Sequence, residues 1–222
     1  MYMRSLLRCF LLFLLLIPGV VSAHPHSWID LKTSIQGTEK EITGFRMEWT
    51  FDAMTSVYMI DGADLSEANR EASLQSIADE MLTNMLGDHY FTYFYNGEDP
   101  IRYKRGRNAK LSMHRGKAVF SFDLPLSQPQ PLTASSIKLL IFEPSYYVDM
   151  SWKETEDVVL SGALAKSCKL ELVEPNPTAE QMSYALSLPM DADPDNTLGQ
   201  LFTQKVMFNC KGAENLSGGS GE

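Results

Sequence analysis

An α+β fold built mostly of antiparallel strands is the architecture this 222-residue sequence predicts, with a β-rich, sandwich-like core, one long helix after the second strand and short C-terminal helices. Three patterns carry that expectation. Across 43–51, Phe45, Met47, Trp49 and Phe51 alternate with Arg46, Glu48 and Thr50, the period of a strand with one buried face. Asn96-Gly97 and Arg115-Gly116 are tight-turn signals between β-prone runs. Only 64–87 shows sustained helical spacing.

Taken in order, residues 1–23 read as a secretory leader. Arg4 and Arg8 are its positive start, 10–17 is an unbroken apolar run, Pro18-Gly19 breaks it, and Val21-Ser22-Ala23 puts small residues at the cleavage point. Cutting after Ala23 leaves His24-Pro25-His26 at the mature amino terminus, in the periplasm of a bacterial envelope. Cys9 precedes the apolar run, the wrong place for a lipid-modified cysteine, and goes with the leader. No later stretch reaches the length of a membrane span.

In the long helix, Asp64 is the expected cap and Glu67 completes a capping box. Leu65, Ala68, Ala72, Ile77, Met81 and Met85 form its stripe, and Gly87 stops it. Further strands are expected at 89–95, 110–114, 117–124, 137–142, 146–152, 157–160, 169–173 and 205–208, with short helices at 178–188 and 197–204. Proline-rich 125–131 reads as a joint between an α+β first half, 24–124, and a β-rich second half, 125–211, or as a long loop within one continuous domain. The Gly/Ser-rich tail, 212–222, is expected to be disordered.

The formal net charge is −9, and loss of Arg4 and Arg8 takes it two units lower, to −11. That balance argues against nucleic acid and anionic lipid as partners. Cys168 and Cys210 remain after cleavage. In an oxidising compartment they are most simply a disulfide. A metal site or free thiols would be the alternatives, but no Cys-x-x-Cys spacing supports them.

The chemistry gathers at the mature terminus. A free α-amine and the imidazole Nδ1 of His24 can chelate one metal ion, and His26 follows two residues on, on the same side of an extended segment. Imidazole suits zinc, copper and nickel. Pro25 excludes the square-planar site that needs a deprotonated second amide, because proline has no amide hydrogen. A tetrahedral or facial site completed by carboxylates remains, with Asp52 and Glu48 as candidates and Asp30 a further one. His89 and His114 lack supporting context. The ten methionines after residue 23 are scattered and read as core filler. No serine or cysteine nucleophile motif, phosphate loop or nucleotide fingerprint is present, so an enzyme is not expected.

His24-Pro25-His26-Ser27-Trp28-Ile29-Asp30, Glu48-Trp49-Thr50-Phe51-Asp52-Ala53-Met54, Tyr90-Phe91-Thr92, Phe122-Asp123-Leu124-Pro125-Leu126 and Phe142-Glu143-Pro144-Ser145-Tyr146-Tyr147-Val148 occur in that order. Together they resemble the ZevA-like periplasmic proteins, a domain family of unknown function. Its members are often labelled periplasmic components of an uncharacterised ABC-type transport system and are often encoded beside NicO-type metal permeases. The family often has aspartate where Glu143 stands. The resemblance implies a periplasmic accessory protein for a divalent metal, zinc first and nickel or cobalt next, partnered by an inner-membrane NicO-type permease. Competing expectations are a solute-binding component of an ABC transporter, a copper oxidoreductase with a histidine brace, and a scaffold that contacts the permease without metal.

Overall fold

Strand β1 (Ser27–Gly37) buries Ile29, Leu31, Thr33 and Ile35 and turns Trp28, Asp30, Lys32 and Ser34 outward, so one face of the sheet it joins is apolar. Residues 25–133, 136–188, 193 and 195–211 are described in this computed structural model. The expected leader, His24 and the expected disordered tail lie outside them. β1 forms an antiparallel pair with β2 (Glu41–Phe51), Ile29 opposite Phe51 and Ile35 opposite Phe45.

On its other edge β2 pairs with β6 (Lys117–Pro131). Their register shifts between Ile42 and Gly44, where a Cβ on Gly44 would lie 2.7 Å from the Leu124 carbonyl and 2.8 Å from the Pro125 Cα. Only glycine lets the two backbones pass this closely. Residues 125–131, read as a joint or loop from their prolines, are therefore strand: Pro125 faces Gly44 and Pro131 faces Glu41. The bulge and the strand end accommodate residues that cannot donate to a ladder.

The first sheet runs β5 (Arg107–His114), β6, β2, β1, β8 (Val148–Ser151), with β9 (Val158–Leu160) also on β1. β8 and β9 are parallel to β1, the departure from an antiparallel pattern. The second sheet runs β10 (Cys168–Val173), β11 (Lys205–Cys210), β7 (Ile137–Ile141), β3 (Thr92–Asn96), β4 (Asp99–Pro100). Both sheets draw strands from either side of 125–131. The α+β, β-rich architecture is thus as expected. One buried cluster joins the sheets: Phe94 meets Phe45 edge-on at 5.1 Å and Phe208 at 5.7 Å, and Trp49 meets Phe122 at 5.1 Å. Buried Trp152 donates from Nε1 to Thr33 Oγ1 at 3.1 Å, while the Gln204 amide binds its backbone N–H and C=O. Cys168 and Cys210 sit directly opposite on β10 and β11 and form the expected disulfide.

The helices depart further from expectation. α1 (Ala53–Met59) follows β2 directly and was not expected. α2 (Arg70–Asn84) begins six residues after the expected cap. Asp64 instead folds a turn, its Oδ1 accepting from Ser66 N–H and its Oδ2 from the Asn69 amide, so Glu67 stays outside the helix. Leu74 and Ala78 of α2 are buried, and the Gln75 side chain binds the Ala109 carbonyl of β5. α3 (Ala179–Ser187) has a capping box of Thr178 and Gln181. α4 (Asn196–Leu201) is shorter than expected, and Gln204 lies beyond it, on Trp152.

Strand β3 also starts late. His89, Tyr90 and Phe91 have φ of 52°, 57° and 50°, a left-handed turn of three residues with side chains. Each such residue costs about 1–2 kcal/mol. The offset comes from Tyr90, which is buried and whose hydroxyl accepts from the Gly106 N–H at 2.8 Å. The Tyr103 hydroxyl is buried without a hydrogen-bond partner among the described residues, and burial, ahead of the nearby Tyr95 and Tyr93, pushes its pKa well above 10. Tyr103→Phe removes that unpaired group and is expected to raise stability by about 1 kcal/mol. Urea denaturation measures it; a lower midpoint would refute the reading.

Candidate functional site at the amino-terminal end of β1

Pro25 and His26 precede β1, and His26 is held rather than trailing. Its N–H donates to the Tyr147 carbonyl at 2.9 Å, and its ring stacks on the Tyr147 ring with centroids 4.8 Å apart. Tyr147 is itself pinned by a bend. Glu143 Oε2 accepts from Tyr147 N–H at 2.9 Å and from Ser145 Oγ at 2.7 Å, while Oε1 accepts from Ser145 N–H at 2.9 Å. Tyr146 takes a left-handed φ of 58° and stacks on Phe202, just after α4, at 4.3 Å. The C-terminal helices thereby back the bend on which His26 rests.

From there β1 and β8 run parallel. Trp28 is opposite Asp149 and Asp30 is opposite Ser151. By strand parity, Asp149 and Ser151 of β8 and Tyr147 just before it share one face, beside Trp28 and Asp30 of β1 and His26 just before it. Asp30 pairs with Lys153 at 3.2 Å, and Lys153 also reaches Ser151 Oγ. The Asp149 carboxyl is pushed up, chiefly by burial and further by Asp30, against the opposite pull of Lys153.

Asp52 lies where β2 meets α1 and caps that helix. Its Oδ1 accepts from Met54 N–H and Thr55 N–H, and its Oδ2 from Thr55 Oγ1, Ser27 Oγ and Trp28 N–H, all within 3.1 Å. Burial raises its pKa, but hydrogen bonds from the Thr55 side chain, the Thr55 and Trp28 amides and Ser27 outweigh it and bring the value to about 2. These five bonds engage both carboxylate oxygens, so Asp52, an expected ligand, serves here as a cap on α1 and a strap on the start of β1.

Residues 9–210 match the family described as "Protein of unknown function (DUF1007)". The chain belongs to the DUF1007 family. A Haemophilus influenzae protein described as uncharacterized is 34% identical over 194 residues, covering 86% of this chain and 93% of the relative. The match to DUF1007 spans every strand and helix described above.

Glu48 of this DUF1007 chain is exposed on β2, opposite Lys32. That is six residues along β1 from His26, or about 20 Å at the rise of a strand, so the fold does not bring the two together. His114 ends β5, exposed beside the turn, and His89 lies in the left-handed turn, edge-on to Tyr93. Among the described residues no three His, Cys, Asp or Glu side chains are placed to share one ion. Nor, among them, is any helix long and apolar enough to cross a membrane. Tyr147 and Asp149 adjoin the start of β1 and were not among the residues singled out from the sequence. Their signal was the alternation of 146–152, but nothing local marks that strand as the partner of β1.

Proposed function

We propose that this DUF1007 protein is an exported, non-enzymatic periplasmic accessory protein. It binds a divalent transition metal, zinc ahead of nickel or cobalt, and works with a NicO-type inner-membrane permease, as the resemblance to ZevA-like periplasmic proteins implies. The observation that carries this reading is the fixed place of His26, bonded to the Tyr147 carbonyl at 2.9 Å and stacked on its ring. A residue set there offers its imidazole from a defined point. With the leader cut after Ala23, the α-amine and imidazole of His24 join His26 as nitrogen donors, and Asp149, on the same face of β8, is the carboxylate to complete the shell in place of Asp52 and Glu48. A carboxyl already raised by burial gains from a cation beside it. The disulfide suits an oxidising compartment.

Calorimetric titration with zinc tests the proposal on three proteins. They are the chain beginning at His24, the same chain with one glycine added before it, and the doubly substituted His24→Ala/His26→Ala chain. The added glycine moves the α-amine away from the histidine. Affinity is expected to fall at least tenfold in both altered proteins, and to fall on acidification as protons compete for the donor nitrogens. Parent-level affinity in the double substitution would overturn the assignment.

A further inference from the structure

A concavity lies away from the amino-terminal end of β1. It is a cleft of about 650 Å³ between the His89–Phe91 turn, β3 and the segment 101–105. That volume falls within the range of small-molecule sites, roughly 300–1,000 Å³. Tyr93, Tyr95 and Tyr103 contribute aromatic rings, and Arg102, Lys104 and Arg105 contribute cations. The lining contains no carboxylate, and the nearby Asp88 and Glu143, which behind burial help to push the Tyr93 hydroxyl's pKa up, lie outside it.

Aromatic walls can serve cations or anions, and the charges decide here. Aromatic cages for ammonium ions attract through ring faces, but three cations around one cleft repel a fourth. Arg102, Lys104 and Arg105 are exposed, and none of them makes an ion pair among the described residues. Three unpaired cations within four residues, in a chain of net charge −9, concentrate positive potential where an anion would enter.

The cleft is also built in advance. Lys104 N–H donates to the Pro125 carbonyl and Ser127 N–H to the Arg102 carbonyl, both at 2.8 Å, and Tyr103 bridges to Leu126, so the cationic segment is laced to β6. Tyr93 stacks on Phe142 at 4.3 Å, which fixes its ring. The opposite wall is formed by His89 and Tyr90 of the left-handed turn. Backbone held in a sparsely populated region, against a cost, clusters at ligand sites.

We infer that this cleft binds a small organic anion with a planar ring, the ring lying against the tyrosines and the acid group meeting Arg102, Lys104 and Arg105. The site is independent of the metal proposal and is tested without metal. The probes are 2-naphthoate and its cationic counterpart, 2-naphthylmethylamine, titrated by fluorescence into the full mature protein. Naphthoate is expected to saturate one site and to bind at least tenfold more tightly than the amine. Arg102→Glu/Arg105→Glu is expected to weaken naphthoate at least tenfold, whereas Lys169→Glu, exposed on β10, leaves it unchanged. Equal binding of anion and cation by the parent overturns the inference whether or not the double variant folds. So does parent-level naphthoate binding by that variant, or binding to phosphatidylglycerol vesicles with no naphthoate site.

Discussion

Replacing Cys168 and Cys210 together by serine is expected to lower the unfolding free energy by about 4 kcal/mol. The bond closes a loop of 42 residues that holds β10, α3, α4 and β11. In the chain-entropy model a loop of that size restricts the unfolded chain by about 4 kcal/mol. Both positions are buried, at 4% and 6% exposure, so the serines also leave two hydroxyls to find partners in an apolar setting. For a chain of this length the loss corresponds to a fall of roughly 8–16 °C in Tm. Thermal melts of the parent with and without reductant, and of the double variant, measure it. The reduced parent and the variant should both melt well below the oxidised parent, the variant no higher than the reduced parent. Coincident melts of oxidised and reduced parent would show that the cross-link contributes nothing.

Asp52→Ala carries the second large effect, about 2–3 kcal/mol. A lost helix cap accounts for about 1 kcal/mol of this. The remainder comes from Ser27 and Trp28, whose charge-assisted bonds to Oδ2 disappear. The parent should also show an acid signature that the variant lacks. Asp52 has a folded pKa of about 2 against an ordinary value of 3.8. A depressed carboxyl contributes stability that is complete above the unfolded value and is lost as pH falls through the folded one. Between about pH 4 and pH 2 the stability difference between parent and variant should therefore shrink. Urea midpoints at pH 7, 4, 3 and 2 measure this; a constant difference would mean that the charge of Asp52 plays no part.

Asp52 also shows what the sequence made legible and what it hid. Its acidity and its nearness to β2 were visible, and so was the rule that aspartate opens helices. Only the helix behind it was not. α1 is seven residues long and buries only Ser56, so it has no apolar stripe to read. Asp64 misled in the opposite sense: an aspartate that can cap a helix can as readily fold a turn, and it does so here. The alternation in 43–51 read correctly because one face of β2 is packed and the other is wet. Prolines 125, 129 and 131 suggested an interruption because a strand pairing on both sides excludes them, but the shift beside Gly44 relaxes that demand.

At the site, His26 was legible because it follows closely on the expected leader cleavage point after Ala23. Tyr147 and Asp149 were not, because their pairing with β1 joins residues about 120 positions apart and leaves no local trace. The left-handed turn before β3 was hidden for a related reason. An aromatic run favours a strand, and only the buried Tyr90, bonded to the distant Gly106, turns it aside.

The parallel ladder between β1 and β8 sets a timetable for the nascent chain. Ribosomes release the amino end first, so the opening strand emerges while its neighbour from 148–151 has yet to be made. Through that interval one flank of β1 presents open amides and carbonyls, the kind of border to which stray chains attach. Maturation must therefore end late, with a distant segment arriving to seal the first, and shielding by a chaperone would matter most in the gap between the two.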